Sequence, residues 1–293
     1  MRQHLEIYQS LWAMEARIPG QAEQPPERHL ERIAEADYDG ACLDPNTSEI
    51  EACLKLKPQF EDLGLKCMIN AFPHDLHSLK PLLEMADDLN ATQVNIIGGV
   101  MPRTVNEAIP VIEKWLDQAK TFPFPVLFET HRNSTLNDLF YTLEVLAMVP
   151  ELRLCADLSH FVLDRELQIP LNRSDANHFS QIIERSDSFQ GRVSSNQQIQ
   201  IALDFCQNAP WVDQFLSWWK EGFEAWSLRN SEKAILRFLV ELGPPPYALT
   251  DAMQRELSDR WDEGILIRQW IRAIWSEMMK GKRTCVEDHL MTS

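Results

Sequence analysis

Three carboxylates stand where short apolar runs end: Glu129 closes VLFE, Asp157 follows LRLCA and Glu241 follows LRFLV. Burying an unpaired charge after such a run is costly. Taken singly, each acid reads as a helix cap or half of a salt bridge. Three at equivalent strand ends repel one another unless a cation or protons lie among them, which points to divalent-ion binding or proton transfer. Residues two apart in a strand share a face, so Leu127, Glu129 and His131 point one way, as do Cys155 with Asp157 and Leu239 with Glu241. His160 lies three residues past Asp157, in D-x-x-H. Both His131 and His160 follow strand-end acids and read as functional, whereas His74, His77 and His178 read as surface or structural. The run DSFQGRVSS puts Gln190 and Arg192 on one face above Ser188. Gln190 offers a carbonyl oxygen to a hard cation. Arg192 either clamps a carboxylate, phosphate or polyol oxygen or serves as a structural salt-bridge partner.

Positioning such groups takes strands that end together. Strand-like apolar runs fall at 6–12, 38–43, 66–70, 93–97, 125–129, 153–157, 188–193 and 238–241. Between them lie stretches with apolar residues at helical spacing, such as PERHLERIAEAD and TVNEAIPVIEKWLDQAK. Asp75 and Thr104 are placed as helix caps, and Gly64 stands where a helix should stop. Eight repeats of strand then helix predict a (β/α)8 TIM barrel, whose polar strand ends share one mouth. An open doubly wound sheet is the rival, but no glycine-rich phosphate turn follows the first strand. On this reading the whole chain, residues 1–293, is a single TIM-barrel domain. Trp12, at the end of strand one, would supply an apolar wall. The Trp-rich stretch 195–235 reads as an insertion between strands seven and eight, over one end of the barrel or in a homo-oligomer contact. A helix is expected over about 250–280, packed on the barrel.

With 44 acidic and 28 basic residues in 293, the formal net charge is −16. That excess disfavours nucleic acid and anionic membrane surfaces as partners. No apolar run is long enough for a signal-peptide core or a membrane span, so a cytoplasmic protein is expected. The six cysteines, Cys42, Cys53, Cys67, Cys155, Cys206 and Cys285, stand far apart with no C-x-x-C pair and read as reduced thiols, mostly in the core.

The combination of ETHR after strand five, DLSH after strand six, Arg-Val ending strand seven and VELGPPPY at strand eight resembles the xylose isomerase-like TIM-barrel superfamily. That superfamily holds sugar isomerases and epimerases, inosose dehydratase-like enzymes and apurinic endonucleases of the endonuclease IV type. In its ketose 3-epimerase branch, Glu, Asp, His and Glu at the ends of strands five to eight hold a metal such as manganese, and the two glutamates exchange the substrate proton. The resemblance implies Glu129, Asp157 and Glu241 as ligands, with Glu129 and Glu241 also as acid and base, and His160 as a substrate contact. Gln190 stands where the family has its histidine ligand, which lowers affinity and shifts preference toward hard cations. The strand ends at Asn70 and Asn95 lack the histidines of the multi-zinc DNA-repair branch.

The expected activity is therefore isomerisation or epimerisation of a sugar or related polyol ketone through an ene-diolate. A divalent ion (Mn, Mg, Co or Zn) would sit on Glu129, Asp157, Gln190 and Glu241, with His131, His160, Arg192 and Trp12 against the substrate. The alternatives are a non-catalytic sugar-binding barrel that has lost its metal through Gln190, and a metal-dependent phosphoesterase.

Overall fold

The computed structural model describes residues 3–291. Eight parallel strands close into a barrel in sequence order: β1 His4–Ser10, β2 Gly40–Leu43, β3 Lys66–Ala71, β4 Val94–Ile96, β5 Val126–Glu129, β6 Leu154–Ala156, β7 Ser186–Gly191 and β8 Ile235–Val240. β1 closes the ring by pairing with β8 from His4↔Ile235 to Gln9↔Val240. The outer layer comprises α1 Pro26–Glu35, α2 Ile50–Leu54, α3 Lys57–Leu63, α4 Leu79–Asp88, α5 Val105–Ala119, α6 Leu139–Met148, α7 Leu158–Asp164, α8 Arg173–Glu184, α9 Ala209–Arg229 and α10 Arg260–Met291. This is the expected (β/α)8 barrel.

Local chemistry sets several boundaries. The Thr104 side chain accepts from the Glu107 N–H to start α5, and Gly64, at φ +66°, ends α3. Asp75 falls short of the expected cap: its Oδ1 takes the His77 and Ser78 N–H groups in a turn, and α4 begins only at Leu79. α10 begins at Arg260, ten residues later than expected, because Asp259 Oδ1 takes the Trp261 N–H while 250–256 folds back through a Thr250–Glu256 bridge.

The tryptophans of the 195–235 stretch do not lie over the mouth, although Gln200, earlier in the stretch, reaches Arg192 and Gly243 there. Residues 209–229 are α9, the helix that links β7 to β8. The spacing of Trp211, Phe215, Trp218, Trp219, Phe223 and Trp226 is the apolar stripe of a barrel helix, and all six are buried. Trp218 stacks on Phe179 of α8 at 4.6 Å, Trp219 meets Phe238 of β8 edge-on at 5.3 Å, and Trp226 lies 6.2 Å from Trp275 of α10. Gly222 lets α9 approach β7 closely: a Cβ there would lie 2.3 Å from the Phe189 ring.

The alternation of β-strands layers the barrel interior. At the N-terminal end Glu6 is neutralised by Lys66 Nζ at 2.5 Å and Arg237 Nε at 3.2 Å. Above it Tyr8, Cys42, Met68 and Leu239 form a small buried cluster of their own. Polar side chains then gather at the C-terminal ends. Cys42, Cys53, Cys67, Cys155 and Cys206 are free thiols, the first, third and fourth of them buried and Cys206 exposed; Cys285 lies outside the residues whose side chains are described. Among the described residues, no helix is long and apolar enough to cross a membrane.

Candidate active site

Glu129 ends β5, Asp157 follows β6 by one residue and Glu241 directly follows β8, so the closed barrel aims all three at one point. Oxygens from the three carboxylates lie within 4.8 Å of one another, and all three residues are buried. Close packing of like charges out of water holds protons on such groups. Burial first, then the charges of Glu241 and Asp157, pushes the Glu129 carboxyl well above the usual range. Burial likewise raises Glu241 to about 8, against the opposing pull of Arg192.

The carboxylates are not equally engaged. Asp157 Oδ1 caps α7 by accepting from the Ser159 N–H at 2.9 Å and from the Ser159 hydroxyl, while its Oδ2 accepts from Arg192 Nε at 3.1 Å. Arg192 Nη2 donates to Glu241 Oε2 at 2.7 Å. Gln190 donates its amide N–H to Glu129 Oε2, leaving Glu129 Oε1 and Gln190 Oε1 buried without partners. A chain of amides forms the floor: Gln93 donates to Asn95 at 2.8 Å, Asn95 to Asn70 at 2.9 Å, and Asn70 to Asp44 at 2.9 Å and Glu241 at 3.4 Å.

The histidines form the adjoining wall. Their rings lie 4.0 Å apart, and a second group of close donor atoms joins Glu129, His131 and His160. Burial lowers His131 to about 4 and holds His160 well below the usual imidazole range, so both are neutral at pH 7. Arg132 Nη1 faces His160 Nδ1 at 3.3 Å. A guanidinium only donates, so Nδ1 is the acceptor and Nε2 carries the proton, 3.4 Å from Asp157 Oδ2.

Over these groups opens a cavity of about 430 Å³ lined by Trp12, Asp44, Phe72, Ile97, Glu129, His131, Arg192, Glu241 and Tyr247, among others. That volume lies within the range of small-molecule sites, roughly 300–1,000 Å³. Trp12 lines it as expected but does not end β1, which stops at Ser10; it opens the one-turn 3-10 helix Trp12–Met14. Its ring meets Tyr247 edge-on at 5.3 Å, and a Cβ at Gly243 would lie 2.5 Å from it.

Of the anticipated site residues, Trp12, Glu129, His131, Arg192 and Glu241 line this cavity, whereas Asp157, Gln190 and His160 are buried beside it and do not. Sequence reasoning missed Asp44, Arg132, Gln200 and Tyr247, and took Asn70 and Asn95 only as missing histidines. Asp44 carried the same signal as the other acids, directly following the apolar run GACL of β2. Burial raises it to about 7.

The donor set suits a divalent ion. Three carboxylates and the unpartnered Gln190 Oε1 offer oxygen ligands alone, as a hard cation such as Mg²⁺ or Mn²⁺ prefers. Arg192 shares two of these carboxylates, Asp157 and Glu241.

No family model matches the chain, and no curated protein does. Solved structures do. D-allulose 3-epimerase from Methylomonas sp., in complex with D-allulose, is 12% identical over 92% of this chain and 97% of that one, with a TM-score of 0.58. L-ribulose 3-epimerase is 13% identical over 96% of both chains, with a TM-score of 0.57. A sugar phosphate isomerase/epimerase from Parabacteroides distasonis is 11% identical over 89% of this chain and 92% of that one, with a TM-score of 0.54. At these identities the likeness is one of fold, the (β/α)8 barrel.

Proposed function

We propose that this barrel is a divalent-metal-dependent isomerase or epimerase acting on a sugar or related polyol ketone by proton transfer through an ene-diolate. The observation that carries the reading is the pair Glu129 and Glu241, two buried carboxyls within 4.8 Å that line one cavity and ionise only reluctantly. General acid–base groups work best when their pKa lies near the working pH, as Glu241, at about 8, does.

Glu129, Asp157, Glu241 and the Gln190 carbonyl oxygen would hold the ion. When bound, it would supply Lewis-acid polarisation of a substrate carbonyl. The ionised glutamate, Glu129 or Glu241, takes the proton from carbon. The other, still protonated, delivers one to the opposite face, which inverts the centre; return to the neighbouring carbon gives isomerisation instead. Gln190 holds Glu129 by Oε2 and leaves Oε1 unpartnered, available to take a proton. Neutral His131, which lines the cavity, brings an unpartnered Nδ1 to a substrate hydroxyl, and His160, buried behind it, keeps its Nε2–H beside Asp157. Arg192, resting against the Tyr247 and Trp12 rings, adds donors to the polar wall, and the exposed parts of those rings would give an apolar face to the sugar's C–H side. The free thiols suit a cytoplasmic setting.

Elemental analysis of the purified protein, with an anomalous-scattering map after soaking in Mn²⁺, tests the ligand set. The reading expects one ion among Glu129, Asp157 and Glu241. A site that stays empty with manganese, magnesium, cobalt and zinc each offered would favour a non-catalytic sugar-binding barrel.

A further inference from the structure

Ionised Glu129, Asp157 and Glu241 carry three negative charges; Arg192 supplies one positive charge and a divalent ion would supply two. Arg192 and a divalent ion together would balance all three once they are ionised, as protons on the glutamates do in part without the ion, yet both cations seek the same oxygens. Arg192 already holds Asp157 Oδ2 at 3.1 Å and Glu241 Oε2 at 2.7 Å and is 2% exposed. Asp157 has little else to offer, because its Oδ1 takes two bonds from Ser159. An ion that reaches these acids must loosen the guanidinium from at least one of them.

A second berth for the guanidinium is at hand. Its Nη1 lies 3.5 Å from Gln200 Oε1, and the Gln200 amide clasps Gly243 by accepting from its N–H at 2.7 Å and donating to its carbonyl at 3.2 Å. The Tyr247 and Trp12 rings flank it at 4.8 and 5.9 Å, faces on which a guanidinium rests favourably. We propose that Arg192 is an internal competitor of the divalent ion, releasing Glu241 or Asp157 as the ion enters and turning the freed N–H groups into the cavity, where they take a substrate oxygen. The metal-free barrel is then neutralised in part by its own cation, and substrate capture by Arg192 is coupled to loading of the ion. This rests on the divalent-ion reading above.

Calorimetric titration of Mn²⁺ into the metal-stripped full-length chain, with Arg192→Gln and Arg192→Lys alongside, tests it. Removing the competitor should tighten Mn²⁺ binding by about tenfold or more in Arg192→Gln, an ordinary size for two ligands sharing one site. Arg192→Lys, which keeps the charge but loses the fork that spans two carboxylates, should fall between the two and carries the comparison if the glutamine variant does not fold. Unchanged or weaker binding in both variants overturns the proposal and leaves the ion site standing. No Mn²⁺ bound by any of the three proteins overturns the ion site and the proposal with it.

Discussion

The Gln190 side chain of β7 donates its amide N–H to Glu129 Oε2 of β5, two strands away across the barrel interior. The contact fixes one oxygen of Glu129 and leaves the other free. It also means that strand seven offers the site an amide where an imidazole would serve a borderline metal better. Gln190→His should therefore raise affinity for Co²⁺ and Zn²⁺ by about tenfold or more while changing Mg²⁺ little. Competition against a chelating dye, metal by metal, measures this. Equal gains for all the ions would mean that position 190 does not bind the ion directly.

Glu241→Gln removes the acid but keeps a carbonyl oxygen for Arg192 Nη2. Turnover should fall by about 10²–10⁴-fold, the usual contribution of a positioned acid or base, with the melting temperature close to wild type. Activity kept in full would remove Glu241 from the proton pathway.

The stability of the metal-free protein should depend on pH with a definite sign. Burial raises Glu241 to about 8 and Asp44 to about 7, and Glu263, in α10, also to about 7. A carboxyl raised in the folded state binds its proton more tightly there, so its contribution is full below the unfolded value and is lost as pH rises through the folded one. His131, lowered to about 4, and His160, lowered further, act oppositely, but only below about pH 6.5. Between pH 6.5 and 8 only the carboxyls act. The melting temperature should fall across that window, and Mn²⁺ should reduce the fall. A flat profile without metal would show that these acids ionise freely in the folded state.

Trp219 of α9 is fully buried against Phe215 and Phe238. Trp219→Ala should cost about 3–5 kcal/mol of folding stability, as truncations of buried aromatics do. Denaturant melts measure it. A cost near zero would return this segment to the status of an insertion outside the core.

The barrel was legible because its signals are local: eight apolar runs, helical spacing between them, a threonine cap at 104 and a glycine stop at 64. The strand-end acids were legible because a charge after an apolar run is expensive wherever the chain folds. The Trp-rich stretch was correctly placed between strands seven and eight but misled in role, because helix-face aromatics look alike whether they pack on the barrel or on another subunit; only the contacts with Phe179, Phe238 and Trp275 decide. Asp44 was passed over although it follows β2 as Glu241 follows β8. The links from Arg192 to Asp157 and Glu241, and from Arg132 to His160, span 28–49 residues. No spacing rule within one strand reaches them.

The central claim is proton transfer at carbon by Glu129 and Glu241. Incubation of the Mn²⁺-loaded protein with a panel of ketoses in D₂O, followed by NMR of the recovered sugars, tests it most directly. The account predicts deuterium at a carbon beside the carbonyl of at least one sugar, and none with Glu129→Gln or Glu241→Gln. A wild-type protein that holds its ion and binds a sugar yet washes no deuterium into it would contradict the account.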